Sequence, residues 1–219
     1  MNAVSKYLMT NDQEALLRKY AEAVVQSPPH LHLTADREIG LFWKRHVLEA
    51  VALLEVIPPL HTEVKVLDIG SGNGIPGIPI AILRPSWQVY LLDSDNKKCG
   101  FLDTFCKFNA IENAQVIACR AEDMATKKWR ESFNYVISRA LAKLPTALEL
   151  SSAYLMIGGR LIVPHGTSLE SELARSRHAV IELGLAFEGY KNGALYFMKT
   201  KETPEKYPRR SGVPSRRPL

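Results

Sequence analysis

An α/β fold is predicted for this 219-residue chain: a mostly parallel sheet with an antiparallel C-terminal hairpin, preceded by a helical N-terminal cap. Three observations predict it. From Val64 onward, short apolar runs alternate with helical patterns, as βα units require. The first run enters a glycine-dense turn, VKVLDIGSGNGIPGIP, and the next ends on Asp93. Near the C-terminus, Lys191-Asn192-Gly193 separates two strand-like runs, a hairpin signal.

Each element follows from its local pattern. Residues 11–26 carry Ala15, Leu16, Tyr20, Ala23 and Val24 at helical spacing, with Asn11 or Asp12 as cap and Ser27-Pro28-Pro29 as stop. Asp36–Ile57 reads as a longer helix closed by Pro58-Pro59, with Val47, Leu48, Val51 and Leu54 on its apolar face. Strand one is Val64–Ile69, and Pro76–Leu83 opens the first sheet-packing helix, where prolines are tolerated. Strand two is Trp87–Leu92. The helix Asn96–Asn109 buries Phe101, Leu102, Phe105 and Phe108. Ala114–Ala118 is strand three and Tyr135–Ser138 belongs to strand four. Leu144–Leu155 is helical up to Gly158-Gly159, and Arg160–Pro164 is strand five. The helix Leu169–Leu183 stops at Gly184, and Phe187–Tyr190 with Ala194–Lys199 form the hairpin. The expected divisions are a cap at 1–60, a nucleoside-binding domain at 61–200 and a basic Pro/Arg-rich tail at 201–219.

Composition narrows the function. Hydrophobic residues make up 46% and charged residues 23%, which suits a globular core. No run approaches the ~18 apolar residues of a membrane span. The N-terminal stretch lacks the apolar core of a signal peptide, so a soluble, cytoplasmic monomer is expected. Cys99, Cys106 and Cys119 are odd in number and form no CxxC pair, so neither a disulfide framework nor a metal site is indicated. The net charge is +5, and residues 199–219 alone hold seven basic groups against two acids. A charge gathered in one tail points to a polyanion or to a solvated, solubilising tail.

The glycine turn points to a nucleoside. Gly70, Gly72, Gly74 and Gly77 let backbone turn tightly and approach a ligand. Asp93, at the end of the next strand, is placed to accept hydrogen bonds from ribose hydroxyls. A phosphate-binding P-loop needs Gly-Lys-Ser/Thr, which is absent. A dinucleotide site would set the helix N-terminus on a pyrophosphate, but Pro76 crowds that start. An S-adenosyl-L-methionine site has no phosphate to cradle, and LDIGSGNG resembles motif I of class I methyltransferases. Cys119-Arg120-Ala121-Glu122-Asp123 follows strand three, where backbone groups at Ala121 and Glu122 would meet an adenine edge; the alternative is a helix cap. Arg139 closes strand four beside the donor and is a candidate positioner; the alternative is a surface ion pair.

Over nearly its full length the chain resembles the bacterial RsmG (GidB) family. The matching stretches are Leu33-Thr34, Arg45-His46, LDIGSGNGIPGIPIAILRP (67–85), LLDSDNKK (91–98), RAED (120–123), VISRALA (136–142) and YPRRSGVPSRRPL (207–219). The resemblance implies a class I, Rossmann-like fold. It implies S-adenosyl-L-methionine-dependent methylation of guanine N7 in small-subunit (16S) ribosomal RNA. It also implies that Gly70, Ile75, Ala121, Glu122 and Arg139 contact the donor, with Asp93 near the ribose; the glycine turn itself adds Gly72 as a donor-binding candidate. Two positions depart from the family pattern, His32 (usually Asn) and His165 (often Lys). RNA contacts are expected from Arg45, Arg209, Arg210, Arg216 and Arg217, aided by Lys44, Lys127, Lys128 and Arg130, with the tail prolines keeping it extended. N7 carries a lone pair and no proton, so no catalytic acid or base is required. His46, His32 and His165 therefore read as structural or RNA-facing. Other class I methyltransferase substrates (another RNA, a protein, a small molecule) and a non-catalytic RNA-binding module are the rival readings.

Overall fold

The computed structural model describes residues 9–54, 57, 63–125, 128–139, 142–164 and 169–219. The sheet has seven strands in the order β3-β2-β1-β4-β5-β7-β6. They are β1 (Lys65–Ile69), β2 (Gln88–Asp93), β3 (Ala114–Ala118), β4 (Phe133–Ile137), β5 (Leu155–Pro164), β6 (Leu185–Lys191) and β7 (Ala194–Lys199). β1 through β5 pair in parallel, and β7 joins β5 and β6 antiparallel. Because chain order reverses on either side of β1, a crevice opens between the carboxyl ends of β1 and β4.

The N-terminal helices pack over one face of this sheet. α1 (Asn11–Val25) is closed by a capping box between Thr10 and Gln13, one residue before the expected cap. The second predicted helix differs from expectation. It starts at Ile39, as α2 (Ile39–Phe42), passes through a π-helical turn (Trp43–Val47) and continues as α3 (Leu48–Leu54). Asp36 lies ahead of it, buried, with its carboxylate turned onto Arg45 and His46. The Pro58-Pro59 stop falls outside the described residues. α4 (Gly77–Leu83) is buried along its whole length between cap and sheet.

The remaining helices alternate with the strands: α5 (Asn96–Phe108), α6 (Ala121–Met124), α7 (Leu144–Ser152) and α8 (Leu169–Glu182). Asp95 caps α5 by accepting from the Lys97 and Lys98 amides. Phe108, expected inside, is 88% exposed: in the helix's last turn it lies off the stripe of buried Cys99, Leu102, Phe105 and Cys106. α7 stops at Ser152, and Gly158-Gly159 lie within β5, not after a helix. Leu155 pairs with Phe133 and Arg160 with Tyr135, so the residues between them bulge out of the ladder. Gly159 is required there: a Cβ would press on the carbonyl oxygens of Met156, Asn134 and Phe133 at 2.9–3.0 Å.

The C-terminal tail is folded, not extended. It turns through α9 (Val213–Arg216), and its contacts on the body reach from Glu131 to Glu149. Prolines leave backbone carbonyls free to accept, and Arg130 takes them: it donates to the carbonyls of Thr203, of Pro204 at 3.1 Å and of Tyr207 at 2.8 Å. Thr146 donates to the Pro214 carbonyl at 2.9 Å.

Candidate functional site

The glycine turn is built from below. The amides of Gly70 and Ser71 donate to the Leu92 carbonyl at 2.8 and 3.0 Å, which bends the chain back over β2. Gly70 and Gly72 adopt φ of 72° and 57°, a left-handed backbone that glycine takes without strain. Three of these glycines then separate by role. A Cβ on Gly74 would meet Leu102 and Ile78, and one on Gly77 would meet Leu91 and the Asp68 carboxylate. A Cβ on Gly72 would meet only the Gly70 carbonyl, at 3.7 Å. Gly77 is there for packing and Gly74, at φ 100°, for both packing and backbone conformation, whereas Gly72 keeps an open face.

The cap holds the turn from the other side. The Tyr20 hydroxyl donates to the Asn73 carbonyl at 2.7 Å, and the Asn73 side chain donates to the Leu33 carbonyl at 3.0 Å. Tyr20 itself is wedged edge-on between Phe42 and Phe105.

Two acids flank the turn. Asp93 accepts from the Gly72 amide at 2.8 Å through one oxygen and from the Asp95 amide at 2.9 Å through the other. Each oxygen keeps lone-pair capacity for another donor. Asp68 is fully buried beneath the turn. One of its oxygens accepts from the Gly77 amide at 3.0 Å, and the other has no hydrogen-bond partner among the described residues. Burial pushes its carboxyl up to about 7, against the pull of the Gly77 amide and of Arg139.

Arg139 is joined to the cap. Its guanidinium donates to His46 Nδ1 at 2.6 Å, and His46 Nε2 lies 3.0 Å from Asp36. The imidazole is therefore neutral with its proton on Nε2. Burial and the adjacent Arg139 both lower its pKa, and Asp36 opposes them. The π-helical turn that carries His46 aims it inward while Lys44 and Arg45 stay exposed. Sequence reading singled out His46 and Arg139 separately; the link through Asp36 joins positions too far apart in the chain for spacing to show it.

Ile75, Pro76, Ser138 and Arg139 line a cavity of about 520 Å³ together with Glu49, Ala50 and Leu53 of α3. Gly70, Gly72, Asp93, Ala121 and Glu122 lie outside that cavity, towards β2 and β3. The Ala121 carbonyl accepts from the Tyr154 hydroxyl, and the Glu122 carboxylate accepts from the Gly212 amide at 2.9 Å. Glu122 thus ties the tail to the segment after β3, a role no motif announced.

The basic residues divide. Arg210, Arg216 and Arg217 are exposed. Arg45 is exposed over its ion pair with Asp36, at 3.2 Å. Arg209 is a correction: its Nε sits 2.9 and 3.2 Å from the two oxygens of Glu149, which is wholly buried. A guanidinium committed to a buried carboxylate is not free to track phosphates. Arg130 is likewise spent on tail carbonyls. Lys128 lies over the Trp129 ring. Lys127, His165 and Ala140 fall outside the described residues. His32 lines a separate small pocket and takes φ 47°, a backbone that asparagine adopts more readily. Among the described residues no group of metal-ligating side chains gathers, and the three cysteines are free. Among the described residues no helix is long and apolar enough to cross a membrane.

Comparison with known proteins accords with this architecture. The putative S-adenosyl-L-methionine-dependent methyltransferase of Methanococcus maripaludis superposes with a TM-score of 0.56 at 15% identity, covering 92% of this chain and 98% of that one. The precorrin-6y C5,15-methyltransferase of Geobacter metallireducens gives 0.51 at 14% identity, covering 78% and 91%. At such identities the likeness shows the fold alone, that of class I methyltransferases. Sequence relatives are nearer. The ribosomal RNA small subunit methyltransferase G of Thermotoga neapolitana is 37% identical over 212 residues, 92% of this chain and 89% of that protein. The protein of the same name from Desulfitobacterium hafniense is 33% identical over 222 residues, 96% and 91%. Residues 13–197 match the family model described as GidB, rRNA small subunit methyltransferase G, and the chain belongs to that family.

Proposed function

We propose that this protein transfers a methyl group from S-adenosyl-L-methionine to N7 of a guanine in small-subunit (16S) ribosomal RNA, as a cytoplasmic monomer. Family membership carries the reaction class. The observation that carries the donor is Asp93: both its oxygens are oriented by backbone amides, yet both retain capacity for ribose hydroxyls. The open face of Gly72 supports the same reading. In it, Gly70, Gly72 and Ile75 meet the donor along the turn, Asp93 takes the ribose, and Ala121 and Glu122 border the adenine. Arg139 orients donor and acceptor at the mouth of the cavity.

When bound, S-adenosyl-L-methionine supplies an electrophilic methyl group on a sulfonium. Guanine N7 needs no deprotonation before it attacks. The protein's contribution is alignment at near-attack distance, worth up to about 7–11 kcal/mol in well-oriented systems. Positive charge leaves sulfur and arrives on the purine, so none is created. Arg45, Arg210, Arg216 and Arg217 hold RNA phosphates in this reading. The target base has to be unpaired or splayed out, because the A-form major groove hides N7.

Two measurements test the proposal. Calorimetric titration with S-adenosylhomocysteine should show one site, and absence of heat refutes the donor assignment. Mass mapping of 16S nucleosides from unmodified small subunits, incubated with protein and donor, should show one new 7-methylguanosine. A methyl group on another base, or on ribosomal protein, refutes the acceptor.

A further inference from the structure

The cavity at the β1/β4 crevice holds two polar groups that the donor reading leaves unused. Ser138 is 1% exposed, and its hydroxyl has no hydrogen-bond partner among the described residues. Glu49, on α3, lines the same cavity from its exposed side, one helical turn from His46, and makes no hydrogen bond or ion pair among the described residues. Ala50 and Leu53, with Ile75 and Pro76, give the cavity apolar faces. A buried hydroxyl left unsatisfied is costly, so one at a cavity wall is poised to bond a group that enters the cavity.

We propose that this cavity seats the acceptor guanine, with the Glu49 carboxylate accepting from N1–H and the N2 amino group and the Ser138 hydroxyl donating to O6. The proposal rests on the guanine-N7 reading above and adds the residues that choose the base. O6, N1–H and the N2 amino group form one edge of guanine, next to N7, so a donor and an acceptor lining the same cavity beside Arg139 suit that edge. Adenine presents a lone pair at N1 and an amino group at C6. It would set a lone pair against the Glu49 carboxylate, whereas the Ser138 hydroxyl can turn to accept from the amino group, so the discrimination rests on Glu49. Glu49 has a second effect. Methylation places positive charge on the purine, so a carboxylate across the ring favours the transition state over the neutral ground state.

The test pairs a variant with a substrate analogue. Glu49→Gln, Glu49→Ala and Ser138→Ala are assayed on small subunits reconstituted with guanosine or inosine at the position that wild type methylates; inosine lacks only the N2 amino group. For wild type, inosine should lower kcat/KM about 10- to 100-fold, the worth of a hydrogen bond to a charged group. For Glu49→Ala that penalty should shrink to about twofold or less. Glu49→Gln should lower kcat itself, and Ser138→Ala should lower kcat/KM about tenfold on both substrates. S-adenosylhomocysteine affinity should stay within about twofold throughout. Equal inosine penalties in wild type and Glu49→Ala overturn the pocket assignment while leaving the function standing. A wild-type protein that methylates no guanine overturns the function first, and the pocket with it.

Discussion

Replacing Arg209 with alanine removes the partner of a carboxylate that has no access to water. Glu149 is wholly buried on α7 and takes both the Nε and an Nη of Arg209. Breaking a buried pair by deleting one member costs about 3–5 kcal/mol, because the other charge stays behind unpaired. Here one partner survives: the Arg209 backbone amide still donates to Glu149 at 2.9 Å. That keeps the loss at the lower end, about 3 kcal/mol. For a domain of this size the melting temperature should fall by about 6–12 °C. Arg209 also donates to the Arg217 carbonyl at 2.7 Å, so the end of the tail should loosen as well. Urea denaturation at 0.15 M and at 1 M salt, with a thermal melt alongside, measures the effect. A buried pair is poorly screened, so the loss should persist in high salt. A loss under about 1 kcal/mol, or one that vanishes at 1 M salt, would show an ordinary surface pair and refute the reasoning.

Other outcomes follow from the same geometry. Gly72→Val should fold, at a backbone strain of about 1–2 kcal/mol, yet give no heat with S-adenosylhomocysteine; wild-type affinity would contradict the open-face assignment. Gly77→Ala should instead destabilise by about 1–3 kcal/mol, since its Cβ would sit 2.7 Å from the Asp68 carboxylate, and an unchanged urea midpoint would count against that packing. His46 should titrate below 6.5 by nuclear magnetic resonance, because burial and Arg139 favour the neutral ring. Between that lowered pKa and 6.5 the unfolded chain binds more protons than the folded one. Stability from this source is therefore complete above 6.5 and is lost as pH falls towards the folded pKa; a ring titrating above 6.5 would reverse the sign. Arg217→Glu should weaken RNA binding and flatten its dependence on salt without lowering the melting temperature, and an unchanged salt slope would remove Arg217 from the interface.

The sheet was legible because each strand is bounded by its own local signals. β1, β2, β3 and β7 fall within a residue of where alternation and glycine put them. The errors lie where distant residues decide. β5 begins at Leu155 because a bulge lets extra chain loop out opposite Phe133, and Gly158-Gly159 imitate a helix stop in doing so. Phe108 follows Phe105 by three residues but falls off the buried stripe that Cys99, Leu102 and Cys106 define. The glycine turn showed its presence in sequence but not its division of labour. Only the positions of Leu102, Ile78 and Leu91 reveal that Gly74 and Gly77 are held by packing. In the tail, charge alone could not separate Arg209 from Arg210, because the difference is a single carboxylate 60 residues away in the chain.

That difference changes what the tail is for. Seven basic groups in the last 21 residues look like an electrostatic arm. Yet Arg130, Glu149, Glu122 and Thr146 each fix a different point of the tail to the body. An arm anchored at so many points has little freedom left to fold around a partner. If its exposed arginines hold RNA as proposed, the backbone that carries them is already anchored, which lowers the cost of ordering the tail on binding. The cap imposes the same economy on Arg139. A free guanidinium near the buried Asp68 carboxyl would be drawn towards it, and a protonated imidazole could not restrain it. Neutral His46, fixed in one tautomer by Asp36, gives Arg139 an acceptor on the cap side. In a reaction that needs alignment and no proton transfer, such second contacts are what rate depends on. The helical cap is then part of the floor of the site rather than a lid over it.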